Sequence, residues 1–149
     1  MEEQLYHTRC VVRGCTTPFI LGDMPFGSYQ ASPQEAFANA ARLMAAGAQM
    51  VKLEGGAVMA PTVAFLAERG IPVCGHVGLT PQSVNVLGGY RVQGKTEDAA
   101  TRLLDDVKRL EEAGMSMIVV EAVPAALGAQ ITRAVSMRSE ERRVGKECA

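Results

Sequence analysis

The sequence predicts a parallel α/β fold, and three observations lead there. Short apolar runs alternate with amphipathic helical stretches along most of the 149 residues, the pattern of successive βα units. A composition of 48% hydrophobic and 21% charged residues supports a packed core and excludes a disordered chain or a coiled coil. Four predicted strands end in polar residues: Asp23, the Lys52/Glu54 pair, His76 and Glu121. Parallel folds of this kind build their active sites at the carboxyl ends of the strands, so this distribution is what a (β/α) barrel enzyme would show.

Residues 2–13 read as a helix that Gly14 can end, and Pro18–Gly22 as a short strand closing at Asp23. Ser32-Pro33-Gln34-Glu35 combines an N-cap serine, a proline at the first helical position and a glutamate three residues after the cap. Ala36, Phe37, Ala40, Leu43 and Met44 continue that helix to Gly47. Residues 48–54 form a strand-length run, 59–69 a helical stretch stopped by Gly70, and 71–76 another strand. A long Gly-, Asn- and Gln-containing excursion follows to Gly94. Thr96 then caps a helix with Ala99, Leu103, Val107 and Leu110 on one face. Residues 115–120 are an apolar strand closed by Glu121, and a weaker helical stretch runs to Ala134.

Residues 137–149 break this pattern, with seven charges in thirteen residues against 24 in the preceding 136. The reading is therefore a partial barrel domain over 1–136 and a solvated tail over 137–149 that is disordered or non-native. A net charge of −1 supplies no field for nucleic acid or an anionic membrane surface. No apolar run reaches membrane-spanning length, and Met1 is followed by Glu2 and Glu3 rather than a basic leader, so a cytoplasmic location is expected. Cys10, Cys15, Cys74 and Cys148 contain no CxxC and read as reduced, mostly buried thiols. With two histidines, His7 and His76, a metal would be a hard cation on carboxylates, favouring magnesium over zinc.

Each polar strand end admits two readings. Lys52 and Glu54 are two apart, so on a strand both project from one face, either as a local ion pair or to bind an acid and a cation. Asp23, in Gly22-Asp23-Met24-Pro25-Phe26-Gly27, is a turn carboxylate or a magnesium ligand. His76 at a strand end favours a hydrogen-bonded structural role over that of ligand or base. Glu121 directly follows Met117-Ile118-Val119-Val120; it either reaches solvent or serves as a general base with its affinity for protons raised by apolar surroundings. Gly55-Gly56 and Gly88-Gly89 match no nucleotide-phosphate loop.

The segments GDMPFGSY, SPQEAFANAARLMAAGAQMVKLEGG, IPVCGHVGLTPQSVNVLGGYRVQGK and VVEAVP resemble the ketopantoate hydroxymethyltransferase family over residues 5–136. The resemblance implies a (β/α)₈ TIM-type barrel, Mg²⁺, and hydroxymethyl transfer from 5,10-methylenetetrahydrofolate to 3-methyl-2-oxobutanoate in pantothenate biosynthesis. It implies Asp23 as a metal ligand that also touches substrate, Lys52 as the keto-acid-binding residue, and Glu54 as a second metal-site carboxylate acting through water. Glu121 is implied as the proton acceptor and His76 as a substrate-side neighbour. A homo-oligomer is implied for the full-length family.

Nothing before Asp23 matches the family's GDS-type segment. At about 31 residues per βα unit the chain holds roughly half of a barrel, so it is expected to be an internal fragment. Two alternatives follow: a catalytically silent fragment of that enzyme, or another Mg²⁺-dependent C–C lyase on a similar barrel, against which VCGHVGLTPQ argues.

Overall fold

The computed structural model describes residues 1–142. Five parallel strands, β1 (Leu21–Asp23), β2 (Met50–Glu54), β3 (Val73–Gly78), β4 (Met117–Glu121) and β5 (Arg138–Arg142), lie in one sheet in the order β1-β2-β3-β4-β5. Helix α1 (Glu2–Gly14) precedes β1. The crossovers carry α2 (Pro33–Ala45), α3 (Ala60–Ala67), the short α4 (Val84–Leu87), α5 (Glu97–Glu112) and α6 (Ala125–Ala134). Strand order that follows chain order without reversal is the arrangement of a (β/α)₈ barrel, whereas a doubly wound sheet switches direction. The fold is thus an incomplete barrel of that type.

Alternation along the strands separates scaffold from site. Val51 and Leu53 of β2, Val73 and Val77 of β3, and Ile118 and Val120 of β4 point toward the helices and are buried in a core with Ala36, Ala40, Leu43, Val63, Leu66, Val107, Leu110 and Ile131. Burial stabilises by about 1.5–3 kcal/mol for each such aliphatic side chain, which makes this outer face the main source of stability. Lys52, Glu54, His76 and Glu121 occupy the opposite face because they alternate with those residues.

The helices form where the sequence places them, for local reasons. Ser32 caps α2 by accepting from the Glu35 N–H at 3.1 Å, with Pro33 in the first turn; Ala36 and Ala40 bring the helix close to the sheet. Thr96 caps α5 by accepting from the Ala99 N–H at 3.3 Å, and Glu97 and Asp98 occupy the dipole-favoured first turn. α1 docks on α2 through buried Leu5 and Thr8 and an ion pair between Glu2 and Arg42. No helix among the described residues is long and apolar enough to cross a membrane.

Several expectations are corrected. The first strand is shorter than the run over Pro18–Gly22. Pro18 has no N–H to donate, and Ile20 bonds instead with Gln49, whose side chain accepts from its N–H at 2.9 Å and whose N–H donates to its carbonyl at 2.8 Å. The excursion after β3 contains a 3₁₀ turn (Pro81–Ser83) and α4, which Gly88 terminates. Of the described cysteines only Cys74 is buried, and burial pushes its thiol up to about 11; Cys10 and Cys15 are half-exposed on or beside the outer helix α1.

The largest difference lies after residue 136. The separate tail is instead, over Arg138–Arg142, a fifth strand in parallel register with β4, Met117 opposite Arg138 and Glu121 opposite Arg142. Ladder bonds use backbone groups that every residue carries, so a charged segment can pair at a sheet edge. Val144 and the rest of that tail lie outside the described residues. The entry into β5 is held by Glu111 of α5, whose Oε1 accepts from the Ser136 N–H and hydroxyl, both at 2.7 Å, and from the Met137 N–H at 3.0 Å.

The Ser136 hydroxyl is the largest influence holding Glu111 below its ordinary value of 4.5; slight burial opposes it and the two N–H groups add to it. A depressed folded value means stability that is present above the unfolded value and is lost as pH falls through the folded one. Glu111→Gln should therefore lower stability by less than about 1 kcal/mol at pH 7, with the gap from the parent closing as pH falls below the ordinary carboxyl value of 4.5. Urea midpoints across that range check this, and a gap that persists at low pH would contradict it.

Candidate active site

The carboxyl ends of β1 to β4 bring five polar side chains into one row. Register places Asp23 opposite Lys52 and Glu54 opposite His76, so neighbours on adjacent strands share a face. Lys52 Nζ donates to Asp23 Oδ1 and Oδ2 at 2.9 and 2.8 Å and lies 3.7 Å from Glu54 Oε1. His76 Nδ1 is 3.3 Å from the same Glu54 oxygen, and its Nε2 is 3.0 Å from Glu121 Oε2. All five residues singled out from the sequence meet here.

Their environments differ in a way that sorts their chemistry. The side chains of Glu54 and His76 are each 4% exposed, Lys52 12%, Glu121 23% and Asp23 53%. Burial is the largest influence on Glu54 and pushes its carboxyl up. The hydrogen bonds from His76 and the Gln82 N–H, with the charges of His76 and Lys52, outweigh it and hold the acid below the usual range. Glu54 is therefore a carboxylate at neutral pH. The His76 Nε2 approach to Glu121 lacks hydrogen-bond geometry, which leaves this nitrogen a buried polar atom without a hydrogen-bond partner among the described residues.

Glu121 is held by backbone geometry that only some residues permit. Its carbonyl accepts from the Leu79 N–H at 2.9 Å, and the next residue, Ala122, has φ 48°, a left-handed conformation unusual for a non-glycine residue. The Ala122 carbonyl in turn accepts from the Gln93 N–H at 2.9 Å. Opposite Glu121 in the ladder stands Gly78, at φ +87°, where a Cβ would collide with the Glu121 carbonyl oxygen.

Two functional candidates escaped the sequence reading. Tyr29, from the turn after β1, is buried, and its hydroxyl accepts from the Glu54 N–H at 3.0 Å while donating to Gln82 Oε1 at 2.6 Å. Gln82, in the 3₁₀ turn after β3, donates its backbone N–H to Glu54 Oε2 at 2.9 Å and its side-chain amide to the Met24 carbonyl at 2.9 Å. A tyrosine within a Gly/Pro turn and a glutamine in a three-residue turn carry little local signal. The usable hint was that a buried phenol must find a partner.

For a metal, the row offers hard oxygen donors of the right type but few of them. No group of three or more His, Cys, Asp or Glu side chains suited to a metal exists among the described residues. Asp23 and Glu54 flank the Lys52 ammonium, and the row sets one ammonium against three carboxylates. Mg²⁺ commonly takes one or two protein carboxylates and completes its octahedron with water and substrate oxygens, so this pair fits such an ion.

Sheet and site together define an α/β-barrel-type chain with an acid–base row at the carboxyl ends of its strands. A family model described as ketopantoate hydroxymethyltransferase matches residues 1–139, and the chain belongs to that family. It is 60% identical over 149 residues to a 3-methyl-2-oxobutanoate hydroxymethyltransferase of Nitrosospira multiformis, covering 100% of this chain and 57% of the relative. It is 64% identical over 136 residues to the protein of that name from Azoarcus sp., covering 91% and 50%. The chain thus spans about half the length of the curated relatives it matches. Among solved structures, a candidate phosphonomutase from Burkholderia cenocepacia J2315 aligns over 99% of this chain and 64% of its own, with TM-score 0.73 and 16% identity. Phosphonopyruvate hydrolase in complex with oxalate and Mg²⁺ aligns over 97% and 51%, with TM-score 0.63 and 16% identity. At those identities the structural likeness speaks for the fold alone.

Gly78→Ala should cost at least about 2 kcal/mol more than Gly27→Ala in urea unfolding. Both glycines have positive φ, +87° and +83°, but nothing lies within 4 Å of a Cβ at Gly27, whereas at Gly78 the obstacle is backbone that no rotamer change relieves. Equal costs would show that Glu121 does not press on Gly78.

Proposed function

We propose that this chain carries the substrate-activating part of a hydroxymethyltransferase that moves a one-carbon unit from 5,10-methylenetetrahydrofolate to 3-methyl-2-oxobutanoate, giving 2-dehydropantoate. Family membership supports the reaction class. The observation that carries the mechanism is the unbroken row of Asp23, Lys52, Glu54, His76 and Glu121, with a metal-suited acidic end and a base at the other.

Asp23 and Glu54 would hold Mg²⁺, Glu54 through water, and Asp23 would also meet the keto-acid. When bound, the metal supplies Lewis-acid polarisation of the keto group, which acidifies the proton on C3. Lys52, now paired with Asp23, receives the substrate carboxylate, and His76 Nε2, 3.0 Å from Glu121 Oε2, supplies a buried polar group on the substrate side. Glu121, the more accessible carboxylate of the His76 pair, takes the C3 proton. The electron pair left at C3 forms the new bond to the folate-borne methylene carbon as one of its two carbon–nitrogen bonds breaks; water then displaces the second nitrogen to leave the hydroxymethyl group, and the two folate nitrogens take up the C3 proton and one proton of that water. The cytosol, where both substrates are small soluble molecules, suits this reading, as does self-assembly into a homo-oligomer.

A second reading, that the 149-residue chain is silent by itself, rests on two observations: no third donor joins Asp23 and Glu54 among the described residues, and the described sheet is open at β1 and β5. Open edges admit water to a site whose electrostatics need its exclusion.

The test is exchange of the C3 proton of the keto-acid, followed by NMR in D₂O with Mg²⁺ and no folate. It uses this chain and a chimera in which residues 1–136 replace the matching half of the Nitrosospira multiformis relative. Glu121→Gln in the chimera should slow exchange about 10²–10⁴-fold with keto-acid affinity nearly unchanged, because an amide cannot accept the proton. Asp23→Asn should instead weaken Mg²⁺ and keto-acid binding together. Unaltered exchange in Glu121→Gln would refute the base, and rapid exchange by the 149-residue chain alone would refute its silence.

A further inference from the structure

The bonds around Glu54 raise a separate question: what keeps its carboxylate aimed at Lys52 and His76 rather than turned elsewhere. Its Oε1 meets those two side chains, and its Oε2 accepts only the backbone N–H of Gln82 among the hydrogen bonds of the described residues. That N–H belongs to a three-residue turn in the excursion after β3, a segment with little core packing of its own. The turn is tied down by the Gln82 side chain. Its Oε1 accepts from the Tyr29 hydroxyl at 2.6 Å and from Gln30 Nε2 at 3.3 Å, and its Nε2 donates to the Met24 carbonyl at 2.9 Å. The Tyr29 hydroxyl also accepts from the Glu54 backbone N–H at 3.0 Å. The loops after β1 and β3 and the end of β2 are thereby joined through two side chains.

We infer that Gln82 and Tyr29 are positioning residues: together they form a clamp that fixes the Gln82 N–H against Glu54 Oε2 and so sets the direction of that carboxylate in the row. Both side chains have their polar atoms assigned in one consistent way. Burial pushes the Tyr29 phenol up to about 12, so it remains a hydroxyl that can donate to Gln82. The carbonyl oxygen of the Gln82 amide takes that hydrogen, and its NH₂ faces the Met24 carbonyl, which fixes the amide orientation. Such a closed network is stronger than its separate bonds, and losing one member should loosen the rest.

The functional consequence rests on the proposed keto-acid site: a misdirected Glu54 leaves Lys52 with a different balance of partners and weakens the hold on the keto-acid and Mg²⁺ together. The structural consequence does not depend on that reading.

The experiment has two arms. In the first, the ligand-free 149-residue chain is compared with Gln82→Met, which keeps the length of the side chain without its hydrogen bonds, and with Tyr29→Phe. Amide hydrogen exchange and the side-chain carboxyl ¹³C resonance of Glu54 are followed by NMR. Both variants should speed exchange at residue 82 at least tenfold and shift the Glu54 carboxyl resonance, while the Val51 and Met115 amides are unchanged. The double variant should be no faster at residue 82 than the faster single one. Retained protection at residue 82, or equal acceleration at Val51 and Met115, overturns the clamp.

In the second arm, the chimera with Gln82→Met should bind 3-methyl-2-oxobutanoate about tenfold more weakly in calorimetry with Mg²⁺, and Gln82→Ala should be no better. Unchanged affinity beside a loosened residue 82 overturns the functional role. Failure of the unsubstituted chimera to bind keto-acid would instead refute the proposed function, and the first arm would still decide the clamp.

Discussion

A carboxylate with 4% of its side chain exposed must be surrounded by donors, and Glu54 sets that requirement for the whole carboxyl edge of the sheet. Removing such an ion from water costs several kcal/mol after relaxation, more than any one surface ion pair returns. Three groups answer the cost: Lys52 from two positions earlier, His76 from the neighbouring strand and the Gln82 N–H from the following turn, while Tyr29 takes the Glu54 backbone N–H. Asp23 and Glu121 extend the row at its two ends by pairing with Lys52 and His76. Each end is more exposed than the centre, so the outer members can reach ligands while the inner ones hold them in line.

Such a row survives because stability is supplied elsewhere. The apolar residues that alternate with it, Val51, Leu53, Val77, Ile118 and Val120, are buried against α2, α3, α5 and α6. A cluster of charges on the same strands can then be unfavourable in itself without unfolding the sheet. The Ala-rich face of α2 and the close approach of Gly78 to the Glu121 carbonyl serve the same end, bringing backbone near enough that side-chain placement at the strand ends has little freedom. Ala122, in a left-handed conformation beside Glu121, shows where strain is accepted.

The membership of the chain in the ketopantoate hydroxymethyltransferase family and the acid–base row are two properties of the same stretch of chain. One is a likeness of sequence along residues 1–139, and the other is a placement of charges that any keto-acid chemistry beginning with loss of a carbon-bound proton could use. The two solved structures, at 16% identity, speak for the barrel architecture alone.

What the sequence determined by itself was local and periodic. The caps at Ser32 and Thr96, the alternation of βα units, and the shared face of Lys52 and Glu54 all follow from spacings within one element, where chain geometry leaves little choice. The strand-end positions of Asp23 and Glu121 were legible for the same reason, whereas the strand read as ending at His76 runs on to Gly78. Tertiary structure alone decided whether those residues met, since register between strands 20 or more residues apart depends on packing of the outer face. It also decided that Glu54 is enclosed rather than solvated, that Tyr29 and Gln82 belong to its surroundings, and that Arg138–Arg142 continues the sheet. In each case the deciding partner is a backbone group or a side chain from a distant segment. Hydrogen-bonding groups of the backbone are the same at every residue, so no local pattern of residue types distinguishes the ones that will be used.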